Sequence, residues 1–146
     1  MDLHLHPMVV HFPIALAILW PLVDLCGLLL KRPDVSRVGL ALLGLGAVSA
    51  LVATVTGQSD YDAAIARGFK PELLDAHADP GGLVPWMLLG TLAIRVLLPR
   101  RAGNKAQVLA IILGTIVAGW VAVVGYQGGR LSFGAGVGID RPGTSS

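Results

Sequence analysis

Cysteine is almost absent from this chain: Cys26 stands alone among 146 residues. That excludes an intrachain disulfide and any zinc or iron–sulfur centre built on paired cysteines. Cys26 itself lies in an apolar run, where it reads as a small buried hydrophobe. Charge is scarce too, at 14% of residues against roughly a quarter in a soluble globular domain. The net charge is +2 and the basic residues do not interleave with aromatics, which leaves no footprint for nucleic acid. No Lys or Arg precedes the first apolar segment and no small-x-small site follows it. That segment is therefore expected to persist as a helix, not to be removed as a signal peptide. Period-two alternation is missing, so a membrane β-barrel is not expected. Neither a nucleophile–base constellation nor a Cys-x-x-Cys-His haem attachment site is present.

What the chain does have is apolar sequence. Hydrophobic residues reach 54%, and mean hydropathy is +0.72. Four runs stand out: Met8 to Leu30, Ser36 to Gly57, Gly81 to Leu98 and Gln107 to Tyr126. Each is close to the ~20 residues with which an α-helix crosses ~30 Å of hydrocarbon. The expectation is an all-α, integral membrane four-helix bundle, up-down-up-down, forming one domain over 1–146. Its helices fall at about 8–30, 36–57, 80–98 and 107–126, with an outer loop at 58–79 and a glycine-rich outer tail at 127–146. The short connections and their flanks hold seven of the eleven basic residues, Lys31, Arg32, Arg37, Arg95, Arg100, Arg101 and Lys105, against one acid, Asp34. By the positive-inside rule these face the cytoplasm of a bacterial inner membrane, with both termini and all four histidines outside. Within the outer loop, Pro71 suits the first position of a short interfacial helix, and Asp79-Pro80 reads as the cap and first residue of helix three. Gly46 with Ala50, and Gly114 with Ala118 and Ala122, mark close helix approach or room for a flat cofactor. No internal repeat is read in the four helices, which leaves little scope for alternating access unless the chain oligomerises.

Ionisable groups within apolar helices are costly and therefore informative. Asp24 lies about 9 Å and Arg95 about 6 Å from the inner ends of their helices, by helical rise. They are read either as an ion pair tying helix one to helix three, or as a snorkelling arginine and a separately satisfied acid. At the opposite end His4, His6 and His11 surround the mouth of helix one, and His77 precedes helix three. Pro13 frees the carbonyl of Val9 and bends the helix beside His11. A histidine from helix one and His77 from another helix suit the two axial positions of a non-covalently held haem b. Interfacial histidines hydrogen-bonded to backbone account for the same residues, and so does an outer copper or zinc site using His4, His6, His11 and His77.

The stretch His6-Pro7-Met8-Val9-Val10-His11-Phe12-Pro13-Ile14 resembles the opening motif of a bacterial four-helix membrane family, domain of unknown function 2231. Thr56-Gly57 with Asp60, His77, and Gly128-Gly129-Arg130-Leu131 are similar to its later motifs. The resemblance implies four membrane helices and an association with redox proteins. The family pattern continues into a histidine where this chain has Ala135.

The function expected is thus a membrane subunit associated with electron transfer: a small b-type cytochrome holding haem through His11 and His77, with His6 as substitute. It would relay electrons and perform no bond-making chemistry of its own. The alternatives are a non-enzymatic scaffold or accessory subunit of a larger membrane complex, and copper or zinc binding. The partners expected are the lipid bilayer and membrane or redox subunits, or a second copy of the chain.

Overall fold

A computed structural model describes residues 5–98 and 104–134. Five α-helices and one terminal π-turn account for nearly all of them: α1 (Leu5–Val9), α2 (His11–Leu29), α3 (Pro33–Ala66), α4 (Pro71–Leu97), α5 (Lys105–Gly129) and the turn Arg130–Gly134. No strand occurs among the described residues. α1 and α2 form one kinked rod. Val10 still donates to the His6 carbonyl at 2.9 Å, but Pro13 has no N–H to offer Val9, and the helix breaks between them. Four helices are long and apolar enough to cross a membrane, and only 17–39% of each apolar window is buried inside the protein. So much uncovered apolar surface requires a hydrocarbon solvent, and the chain is a multi-pass membrane bundle.

α3 and α4 run well past their apolar stretches. α3 has 34 residues, or ~51 Å at 1.5 Å per residue, against ~30 Å of hydrocarbon. The expected loop at 58–79 shrinks to the turn Arg67–Lys70, and the expected cap at Asp79-Pro80 lies inside one continuous α4. Gly68, at φ 88°, closes α3. Phe69 donates to Ala64 at 3.2 Å and Gly68 to Ile65 at 2.9 Å, satisfying carbonyls that would otherwise be orphaned at the helix end. Tyr61 donates to Asp75 Oδ1 at 2.8 Å across this hairpin, over the buried Ala64 and Leu74.

In the ring α2–α3–α4–α5, α2 packs most extensively on α3. Small residues permit this: a Cβ on Gly27 would overlap Ser36, and one on Gly39 would sit 2.9 Å from Asp24 Cβ. Between α2 and α5, a Cβ on Gly114 would overlap the Trp20 indole. The expected space at Gly114 is therefore filled by a side chain of the protein itself. The core is Ala17, Trp20, Leu43, Ala47, Ala50, Leu88, Ala110, Val117 and Val121. Cys26, expected to be buried, is exposed on the outside of α2, where lipid rather than protein surrounds it.

The two halves of the bundle repeat. Asp24 and Arg95 touch, and so do Ser36 and Gln107; the partners in each pair are 71 residues apart. His6 and His77, with the same separation, face each other as well. Shifting α1–α3 by that interval lays them on α4, α5 and the terminal turn. The buried positions coincide: Ala17 with Leu88, Trp20 with Thr91, Gly39 with Ala110, Leu43 with Gly114, and Ala50 with Val121. Residues that meet their own equivalents must lie on the axis relating the halves. That pseudo-two-fold runs along the helices, as in parallel membrane repeats. The repeat corrects the sequence reading, which found none.

Candidate functional site

Polar groups meet on this axis at two levels. One is near the α2–α3 turn. There Arg95 Nε donates to Asp24 Oδ2 at 3.1 Å, and Arg95 Nη2 to Asp24 Oδ1 at 3.3 Å. Gln107 Nε2 reaches Asp24 Oδ1 at 2.7 Å, the Asp24 backbone oxygen at 3.0 Å and Ser36 Oγ at 2.8 Å. The Asp24 side chain is 1% exposed and that of Arg95 18%. The carboxylate thus has donors from α4 and α5 and is compensated in place, as a buried charge must be. With both charges matched, this level reads as a tie between helices.

The second level is at the other end of the bundle. His6 Nδ1 lies 2.8 Å from the carbonyl oxygen of Ala53 on α3. His77 Nδ1 lies 3.0 Å from that of Val124 on α5. Both contacts span 47 residues, so they are one interaction made twice. A carbonyl only accepts. Each Nδ1 therefore carries the proton, and in the neutral ring the lone pair resides on Nε2. The two ring planes are inclined at 71°, with centroids 6.2 Å apart. Glycine makes room for both. A Cβ on Gly57 would come within 3.0 Å of the His6 ring, and one on Gly128 within 2.9 Å of the His77 ring.

One residue before each glycine stands a polar side chain, Thr56 or Gln127. Thr56 Oγ1 donates to Ala53 O at 3.0 Å and lies 3.4 Å from His6 Nδ1. Gln127 Oε1 is buried and has no hydrogen-bond partner among the described residues.

The ring that faces His77 is thus that of His6. His11 is exposed at the first turn of α2, five residues on and rotated to another side of the helix. His4 and Ala135 lie outside the described residues. No group of three or more His, Cys, Asp or Glu able to hold a metal ion occurs among the described residues. The pairing of His6 with His77 was read from sequence only as a substitute for that of His11 with His77, although a signal was present: each is followed by a glycine at the same distance.

Two neutral imidazoles are a donor set of the kind taken by an iron held in a macrocycle. His6 and His77 are the residues that would hold such a group, through the lone pairs on Nε2. The backbone carbonyls behind Nδ1 are the usual outer partners of ligating histidines, fixing tautomer and ring orientation. Two side-chain ligands without a third suit haem, whose porphyrin supplies the remaining four, better than zinc, which takes three or four from the protein.

A family profile described as "Predicted membrane protein (DUF2231)" matches residues 2–141. No curated protein and no solved structure matches the chain.

Proposed function

The chain belongs to the DUF2231 family of predicted membrane proteins, and we propose that it is an electron-transfer subunit holding haem b between His6 and His77. The observation that carries this reading is the pair of facing imidazoles, each with its Nδ1 hydrogen bonded to a backbone carbonyl. When bound, haem supplies reversible one-electron chemistry. The protein's own contribution is orientation. Ala53 and Val124 hold the protons on Nδ1, and Gly57 and Gly128 let the rings lie against α3 and α5. The distribution of basic residues, seven flanking the short connections and four elsewhere, supports an orientation with the histidine end on the outer face of a bacterial inner membrane. Electrons would pass there between an outer donor and a membrane quinone or partner subunit.

The test is the visible spectrum of protein purified in detergent after expression with ample haem. The wild-type chain is expected to show a Soret band of bis-imidazole type. His6→Ala and His77→Ala each remove it, and His11→Ala keeps it. A colourless wild-type protein, or a band indifferent to His6 and His77, refutes the proposal.

The same hydrogen bonds favour a second reading. His6 fastens α1 to α3 and His77 fastens α4 to α5, as staples in a non-enzymatic accessory subunit. That reading expects colourless protein whose unfolding temperature falls on either alanine substitution.

A further inference from the structure

We propose that α4 is a dimerisation face: its stripe Leu83, Trp86, Gly90, Ala93 and Leu97 pairs with the same stripe of a second copy of this chain in the membrane. The pairing is independent of what His6 and His77 hold.

Three features of α4 call for a protein neighbour rather than lipid alone. The first is a shortfall of burial. The apolar window of α4 is 17% buried, against 39% for α2, its equivalent in the other half. The second is a groove of about 220 Å³ between α4 and α5, lined among others by Trp86, Met87, Gly90 and Thr91 of α4 and Ile116 of α5. This groove departs from the repeat, because the positions equivalent to Gly90 and Thr91 carry the bulky Leu19 and Trp20. The third is Trp86 itself, which is 67% exposed. It stands nine residues from His77 and nine from Arg95, hence about 13–14 Å along α4 from each polar level. Tryptophan in membrane helices collects at the two interfaces, where its N–H reaches polar partners. Midway between them, lipid tails offer that N–H no acceptor, and a protein surface accommodates the indole better.

The spacing identifies the partner. The five residues recur at intervals of three and four, and each is exposed. That is the seam of a left-handed helix pair, in which a knob on one helix enters a hole of four residues on the other. Copies of one chain insert in the same direction, so α4 meets α4 in parallel and each residue of the stripe meets its own copy. In that register the hole facing Trp86 is made by Leu83, Trp86, Met87 and Gly90 of the second copy. Knob and hole lie on one stripe, as an isologous interface requires. Gly90 keeps the hole open, since a Cβ there meets nothing within 4 Å inside the chain. Alanine at 90, no larger than the neighbouring Ala93, would leave it open as well; a leucine would fill it.

Site-directed cross-linking tests the pairing. Cys26→Ser chains carrying one introduced cysteine are oxidised with copper phenanthroline in phosphatidylethanolamine–phosphatidylglycerol vesicles. Gly90→Cys and Ala93→Cys are expected to give disulfide-linked dimers. Leu22→Cys on α2 and Val48→Cys on α3, at positions equally turned outward, are expected to stay monomeric. Energy transfer between labelled copies in the same vesicles measures affinity. Gly90→Leu and Trp86→Ala should each weaken self-association about ten-fold, the scale of one well-buried aromatic anchor. Gly44→Leu, whose Cβ is also free of neighbours within the chain, should keep the wild-type value. Wild-type copies that stay apart in vesicles overturn the proposal, and so does cross-linking no stronger at 90 and 93 than at 22 and 48. Association that survives both Gly90→Leu and Trp86→Ala moves the interface off α4 and overturns it as well.

Discussion

A methyl group added at Gly57 would stand 3.0 Å from the His6 ring, and one at Gly128 would stand 2.9 Å from the His77 ring. Neither ring can retreat without leaving its backbone carbonyl, at 2.8 and 3.0 Å respectively. Gly57→Ala and Gly128→Ala are therefore expected to cost about 1–3 kcal/mol each, the usual range for overpacking a filled site. Gly44 and Gly90 are the controls. Nothing lies within 4 Å of a Cβ at either position, and alanine there should be neutral or add up to ~1 kcal/mol through helix propensity. Thermal unfolding in detergent separates the two classes. Equal behaviour of all four variants would mean that the imidazoles do not rest on the glycines. At this scale the sequence was half legible. His6, His77, Thr56-Gly57 and Gly128 all stood out as motif residues, but which imidazole faced which depended on the position of α1. A helix of five residues with a proline in it leaves too weak a periodic signal to set the direction of its side chains.

The four apolar helices were plain from hydropathy, and their centres fall within the expected segments. Their ends do not, for a physical reason. Hydropathy reports where the chain meets lipid, whereas the backbone hydrogen bonds of a helix continue into water wherever packing supports them. From Gln58 to Ala66 and from Pro71 to Asp79 the side chains turn polar while the helices persist. This protruding hairpin is held by the buried Ala64 and Leu74 and by the Tyr61–Asp75 hydrogen bond. Beyond the level of His77 it extends on the two continuing helices, so its tip should respond locally to damage. Tyr61→Phe is expected to speed amide exchange at the end of α3 and the first turns of α4, leaving the global unfolding temperature within about 1–2 °C. The local loss is that of one hydrogen bond to a partly exposed carboxylate. A large fall in the global transition, with no change in hairpin exchange, would contradict the local assignment.

The duplication of the bundle was hidden because packing conserves the summed volume at a contact rather than the residue at a position. Trp20 corresponds to Thr91 and Leu43 to Gly114, and the large indole of one half fits over the small residue of the other. Few equivalent positions retain the same residue, so self-comparison of the sequence has little to detect; besides small or aliphatic matches such as Leu42 with Leu113, Ala47 with Ala118 and Val52 with Val123, His6 with His77 and Gly57 with Gly128 are retained. The same divergence explains the charges on the axis. In a bundle of identical halves, position 24 would face its own copy, and like charges buried together are strongly unfavourable. Here one half carries Asp24 and the other Arg95, so the axis is crossed by attraction, and Gln107 and Ser36 complete the cluster from α5 and α3. A tandem chain can adopt this solution, whereas a homodimer of one half cannot. Asp24→Arg or Arg95→Asp alone should destabilise the bundle by about 3–5 kcal/mol, leaving a buried charge against its like. The exchanged chain, carrying Asp24→Arg and Arg95→Asp together, restores opposite charges across the axis. It should recover more than half of either single loss. Recovery stays incomplete because Gln107 has donated to an acid at position 24 and would then face a guanidinium there. Thermal unfolding of the four chains in one detergent measures the coupling directly. Strictly additive losses would place the two charges in separate environments and dissolve the on-axis pair as the tie between α2 and α4.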